Sequence, residues 1–120
     1  MEFNPQNPIV QLCIQGMAWE AQNKPGEAAL LFLDGWEKAN HPLEKFLAAW
    51  FLARCQSSIA EKRHWLQTAL DQVLLLEDEY LKSTLPALYD ALKKCSEEVG
   101  ETGMASGYDA LAQSYRDKVF

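Results

Sequence analysis

Two short stretches, Asn7-Pro8 and Asn40-His41-Pro42, constrain this chain more than any other feature. Each puts a hydrogen-bonding side chain directly before a proline, the arrangement that opens a helix whose first residue needs no N–H. Pro42 follows Pro8 by 34 residues, an interval that has the length of one helical-hairpin repeat. The spacing predicts a helix from about Pro8 to Gln22 and a compact turn at Asn23-Lys24-Pro25-Gly26. A second helix, from about Gly26 to Ala39, follows with Ala28, Leu31, Phe32 and Trp36 on its apolar face. The two must fold back on each other as a hairpin.

At Pro42 the pattern begins again. A third helix, Leu43 to about Gln56, carries Phe46, Ala49, Trp50 and Ala53 at the offsets from its proline that Leu12, Gln15, Gly16 and Trp19 have from theirs. Ser58-Ile59-Ala60-Glu61 has the capping-box form, and a fourth helix runs to about Leu76 with a wide stripe of Trp65, Leu66, Ala69, Leu70, Val73 and Leu74. Glu77-Asp78-Glu79 breaks the apolar run, and Ser83-Thr84-Leu85-Pro86 marks either a fresh helix start or a kink. The fifth helix includes Ala87 to Glu97, with Leu85, Leu88, Tyr89, Leu92 and Cys95 at helical spacing. Gly100-Glu101-Thr102-Gly103 ends it. A flexible connection then leads to a cap at Ser106-Gly107-Tyr108-Asp109 and a last helix with Tyr108, Leu111, Ala112, Tyr115 and Val119 on one face.

Strand-like alternation is missing throughout, so the chain reads as all-α. One domain spans residues 1–120, built from antiparallel hairpins over about 8–39, 42–76 and 79–118. Each hairpin alone leaves an apolar face uncovered, and stacking the three buries those faces in one core.

Gly16 is out of place in this scheme, since glycine inside a helix costs roughly 1 kcal/mol against alanine. Paired with Ala28 across the Asn23–Gly26 turn, it lets the two helix backbones approach closely, with Trp19 and Phe32 filling the layers beside the contact. Leu12, Gly16, Trp19, Ala28 and Phe32 stand at the offsets of a tetratricopeptide repeat, which residues 8–42 therefore resemble; Pro42 stands in for the closing proline, displaced by two residues. Gln15 departs from the pattern, because the family usually has leucine there. In the second hairpin Trp50 takes the small-residue position if Pro8 and Pro42 set the register, while another register uses Leu52 and Ala53 and sets Trp65 opposite Ala28. The resemblance implies a right-handed superhelix of stacked hairpins; a compact bundle of the same helices is the alternative.

Composition limits the function. A formal charge of -6 over 120 residues argues against a nucleic-acid backbone as partner. Three widely spaced cysteines, Cys13, Cys55 and Cys95, suit reduced, packed thiols of a cytoplasmic protein. No segment has the length and apolarity of a membrane span, and no targeting signal is legible, so a cytoplasmic location is expected.

Candidate chemistry is sparse. Glu61 and His64 form a Glu-x-x-His pair such as carboxylate-bridged metal bundles use, but the second such motif is missing, Glu61 is accounted for by the capping box, and His64 reads as a surface residue. Gly100, Gly103 and Gly107 follow a helix and lack the Gly-Lys-Ser/Thr ending of a phosphate-binding loop. Lys82, Lys93, Lys94, Arg116 and Lys118 are offset by Glu97, Glu98, Glu101 and Asp117. Neither His41 nor His64 sits where it would activate a nucleophile. The chain reads as a non-catalytic protein without a cofactor, and a metal-binding or catalytic bundle centred on Glu61 and His64 is the rival reading.

A second apolar stripe on the first and third helices remains. In tetratricopeptide proteins such first-helix positions line a concave peptide-binding groove, so the resemblance implies a groove around Val10, Cys13, Met17, Glu20, Leu47, Phe51 and Arg54. An apolar or amphipathic segment of a protein partner, or a second copy of the chain as a homodimer, would fill it. The carboxylate clamp of chaperone-binding relatives needs lysine and asparagine, and Cys13 and Met17 replace that chemistry. The alternative is that the C-terminal helices fold over the stripe and bury it.

Overall fold

The computed structural model describes residues 4–76 and 78–117. Glu77, Lys118 and Val119, which entered the sequence reading, lie outside them. The described residues form α1 (Pro8–Ala21), α2 (Pro25–Lys38), α3 (Pro42–Arg54), α4 (Ile59–Leu74), the single turn α5 (Glu79–Lys82), α6 (Leu85–Glu98) and α7 (Thr102–Arg116), with no strand among them. The helices pack in sequential pairs, α1 on α2, α3 on α4 and α6 on α7, while α2 also packs on α3 and α4 on α6. The result is a helical stack of three hairpins.

The proline-led starts follow from their caps. Asn7 Oδ1 accepts from Ile9 N at 2.7 Å and from Val10 N at 3.3 Å, satisfying donors that open α1. His41 Nδ1 does the same for Leu43 N at 3.1 Å, and Ser58 Oγ accepts from Glu61 N at 3.4 Å at the start of α4. Between α1 and α2 the chain reverses through Asn23, whose φ of 59° is the left-handed conformation asparagine tolerates. The Ser83–Pro86 stretch resolves as a fresh start. The α5 turn ends at Lys82, and α6 begins at Leu85 with Pro86 in its first turn.

The last connection is shorter than expected. Rather than a flexible run to Ser106, only Val99, Gly100 and Glu101 separate α6 from α7, so Gly103, Ser106 and Gly107 are helical. Gly100 turns the chain at φ +77°, with its N–H bonded to Glu97 O at 3.1 Å and the Glu101 N–H to Ser96 O at 2.9 Å. Tertiary packing outweighs the two helical glycines: Ala105 and Ala112 are buried, and Tyr108 and Tyr115 both stack on Tyr89 of α6, at 6.2 and 5.8 Å. Arg63 of α4 anchors the same corner, its Nη1 lying 3.2 Å from Glu101 Oε2.

Two clusters make the core. The larger joins the second and third hairpins through Phe46, Leu66, Leu70, Leu85, Leu88 and Leu92 among others. The smaller joins the first hairpin to the second through Cys13, Ala28, Phe32, Phe51 and Leu52. Gly16 belongs to this second cluster for a reason different from the one expected. A Cβ placed on Gly16 would lie 2.4 Å from Phe32 Cε1, so the missing side chain accommodates the Phe32 ring and not Ala28. Phe32 is fully buried and its ring is stacked on Phe51 at 5.0 Å and 15°, which leaves it no direction in which to yield. Gln11, Gln15 and Ala18 are exposed on the side of α1 opposite Cys13, so Gln15 faces solvent, where a hydrophilic side chain costs nothing.

Glycine substitutions should therefore act with opposite signs at two helical sites. Gly16→Ala is expected to lower unfolding free energy by about 1 to 3 kcal/mol through overpacking. Gly107→Ala, where a Cβ meets nothing within 4 Å, is expected to raise it by roughly 0.5 to 1 kcal/mol through helix propensity. Urea titration of the two variants against the parent checks both.

Candidate functional site

Helices α1 and α3 lie side by side and are tied at both ends. At the start of α1, Asn7 Nδ2 donates to Glu44 Oε2 at 2.7 Å, and Glu44 Oε1 accepts from Asn40 N at 3.2 Å. Asn7 thus caps α1 with its oxygen and reaches the first turn of α3 with its amide nitrogen. At the far end, Arg54 Nε lies 3.4 Å from Glu20 Oε2, and the guanidinium sits over the Phe51 ring at 5.1 Å. The ladder fixes which residues of the expected groove face outward.

Two of them do not. Cys13 is 2% exposed and Phe51 is 9% exposed, both inside the cluster between the hairpins and unavailable as an open lining. The cover comes from the first three helices themselves, whose Ala28, Phe32 and Leu52 complete that cluster, and not from the C-terminal helices. The physical reason is angular. Cys13 and Met17 stand four residues apart and so diverge by only about 40° around the helix, enough to turn one toward α3 and the other toward solvent.

What remains accessible is a stripe on α1. Val10 is half-buried, Met17 is 45% exposed, and Leu47 extends the surface onto α3, half-buried against the inter-hairpin cluster. Glu20 and Arg54 close one end. Ile14 was missing from the expected set and is more exposed than Met17, at 53%. Its signal was legible: four residues after Val10 and three before Met17, it continues the same helical line to Ala21. Glu20 is the single charged residue of α1, and it is paired, so the stripe itself is uncharged.

The thiols are held protonated. Burial pushes the Cys13 thiol up to about 12, and burial with the nearby Glu20 carboxylate pushes Cys55 up to about 11 against the opposing charge of Arg54. Burial also raises Cys95. Such thiols are poor nucleophiles at neutral pH.

Other candidate residues fall elsewhere. Glu61 and His64 are exposed on α4, with the His64 ring edge-on to Trp65 at 5.0 Å. Among the described residues no three His, Cys, Asp or Glu side chains converge as metal ligands. No helix among those residues is long and apolar enough to cross a membrane. Between α6 and α7 runs an open groove of about 640 Å³ lined by Asp90, Lys93, Lys94, Glu97, Asp109 and Arg116. Two of its cations are matched across the two helices: Lys93 Nζ bonds Asp109 Oδ1 at 3.0 Å, which raises the lysine's pKa, and Arg116 pairs with Asp90. Asp90 and Asp109 join Glu97 in offsetting the basic residues here.

Comparison with family models, curated proteins and solved structures finds no match to the chain.

The Cys13 environment gives a pH dependence with a definite sign. A thiol raised in the folded state stays protonated while the unfolded chain ionises near its ordinary value of 9.0, so unfolding gains as pH climbs from 9.0 toward about 12. Unfolding free energy is expected to fall across that window, and to fall less steeply for Cys13→Ala. Urea titrations of both proteins at pH 8 and at about pH 10.5 measure the difference.

Proposed function

We propose that the protein is a non-catalytic, tetratricopeptide-like interaction module whose working surface is the exposed stripe Val10, Ile14, Met17, Ala21 with Leu47 beside it. The observation that carries this reading is the combination of exposure and missing charge on α1: large apolar side chains face solvent on a helix whose one charge is already paired. Surfaces of that kind gain free energy by being covered. The stacked hairpins support the reading by fixing α1 against α3 and so presenting the stripe as a rigid line. An amphipathic helix with apolar residues at positions i, i+3 or i+4 and i+7 has the matching shape. Arg54 and Glu20, at one end of the line, set the direction in which such a helix lies.

Selection from a displayed library of amphipathic helical peptides tests the proposal. Binders are expected to emerge against the parent protein, to lose about tenfold or more in affinity on Met17→Glu, and to be unaffected by Leu30→Glu on exposed α2. Peptides that bind Met17→Glu as well as the parent, or no binders at all, would contradict it. Circular dichroism of each variant confirms that the fold is retained.

A further inference from the structure

Resting on the reading of this stripe as a binding surface, we propose that its occupant is a second copy of this chain, with α1 packed antiparallel on the partner's α1 about a two-fold axis. The stripe is self-complementary. Its members are spaced 4, 3 and 4 residues apart, an order that is unchanged on reversal. An antiparallel copy therefore sets Ile14 opposite the partner's Met17 and Val10 opposite the partner's Ala21, one contact between two long side chains and one between a larger and a smaller. Burying these residues strips water from no unpaired charge, because the stripe has none.

Charge at the two ends favours the same arrangement. The Asn7 bond places Glu44 beside the start of α1, and the Glu20 ion pair places Arg54 beside its end. Reversal brings the Arg54 end of each copy to the Glu44 end of the other. Arg54 meets Glu20 through Nε, and with its side chain 49% exposed its Nη donors can serve a second carboxylate. Glu44 accepts from two neutral donors, the Asn7 amide and the Asn40 N–H. Two symmetry-related approaches of Arg54 to Glu44 result, and they offset the repulsion between chains that each carry a formal charge of -6. At one end of the stack α1 presents Gln11 and Gln15, and at the other cross-helix ion pairs line the groove between α6 and α7.

Sedimentation equilibrium of the full chain, from low to high micromolar concentration, is expected to give a mass rising from one chain toward two. Met17→Glu or Ile14→Lys should raise the dissociation constant about tenfold or more, with helical circular dichroism unchanged. Glu44→Gln, which removes the charge and keeps one oxygen for Asn7 while giving up the exposed contact to Asn40 N, should raise it severalfold and flatten its dependence on salt. Leu30→Glu should leave it alone. A dimer indifferent to Met17→Glu and Ile14→Lys would overturn the proposed face. A parent protein monomeric throughout would overturn the occupant, and the peptide selection separates the two failures: peptides that still bind through Met17 leave the surface standing with a different partner.

Discussion

Phe32 occupies the space that Gly16 leaves open and stacks on Phe51, and the placement of the first hairpin against the second depends on this contact. Without the missing side chain the ring could not lie beneath α1 while reaching α3. With it, one aromatic side chain touches all three of the first helices. The cost of glycine in a helix interior, roughly 1 kcal/mol, is offset by a fully buried aromatic and an offset ring pair. Once the rings are in register, the polar ladder on either side falls into place: Asn7 reaches Glu44, and Glu20 reaches Arg54.

That register also decides what faces outward. The same rotation of α1 that turns Cys13 into the core turns Met17 and Ile14 away from it. The buried, neutral Cys13 thiol and an uncharged exposed stripe are two consequences of one helix orientation. The third hairpin is held by different means, a larger aliphatic cluster and the Tyr89, Tyr108 and Tyr115 stack, and the groove between its helices is ion-paired.

Much of the architecture was legible in the sequence because helix starts are local events. Asn7, His41 and Ser58 cap where a side-chain acceptor precedes a helix, and the choice between kink and fresh start at Pro86 needed only the chain's path. Gly16 was legible as an anomaly, though its partner was not: which residue fills a notch depends on the rotation of the facing helix. The start of α7 was misplaced because Gly103 and Gly107 argue locally against a helix that Ala105, Ala112 and two stacked tyrosines enforce from a distance. The stripe on α1 could be read only in outline. Residues about 40° apart on a helix differ little in sequence pattern, yet one of them meets α3 and the other meets water.

A double-mutant cycle on Phe32→Leu and Phe51→Leu, measured by urea unfolding, tests the central claim that this ring pair joins the hairpins. The account predicts a coupling of about 0.5 to 1.5 kcal/mol between the two substitutions, beyond their separate losses of packing. Losses that add to within a few tenths of a kcal/mol would show that the rings act independently, and would contradict it.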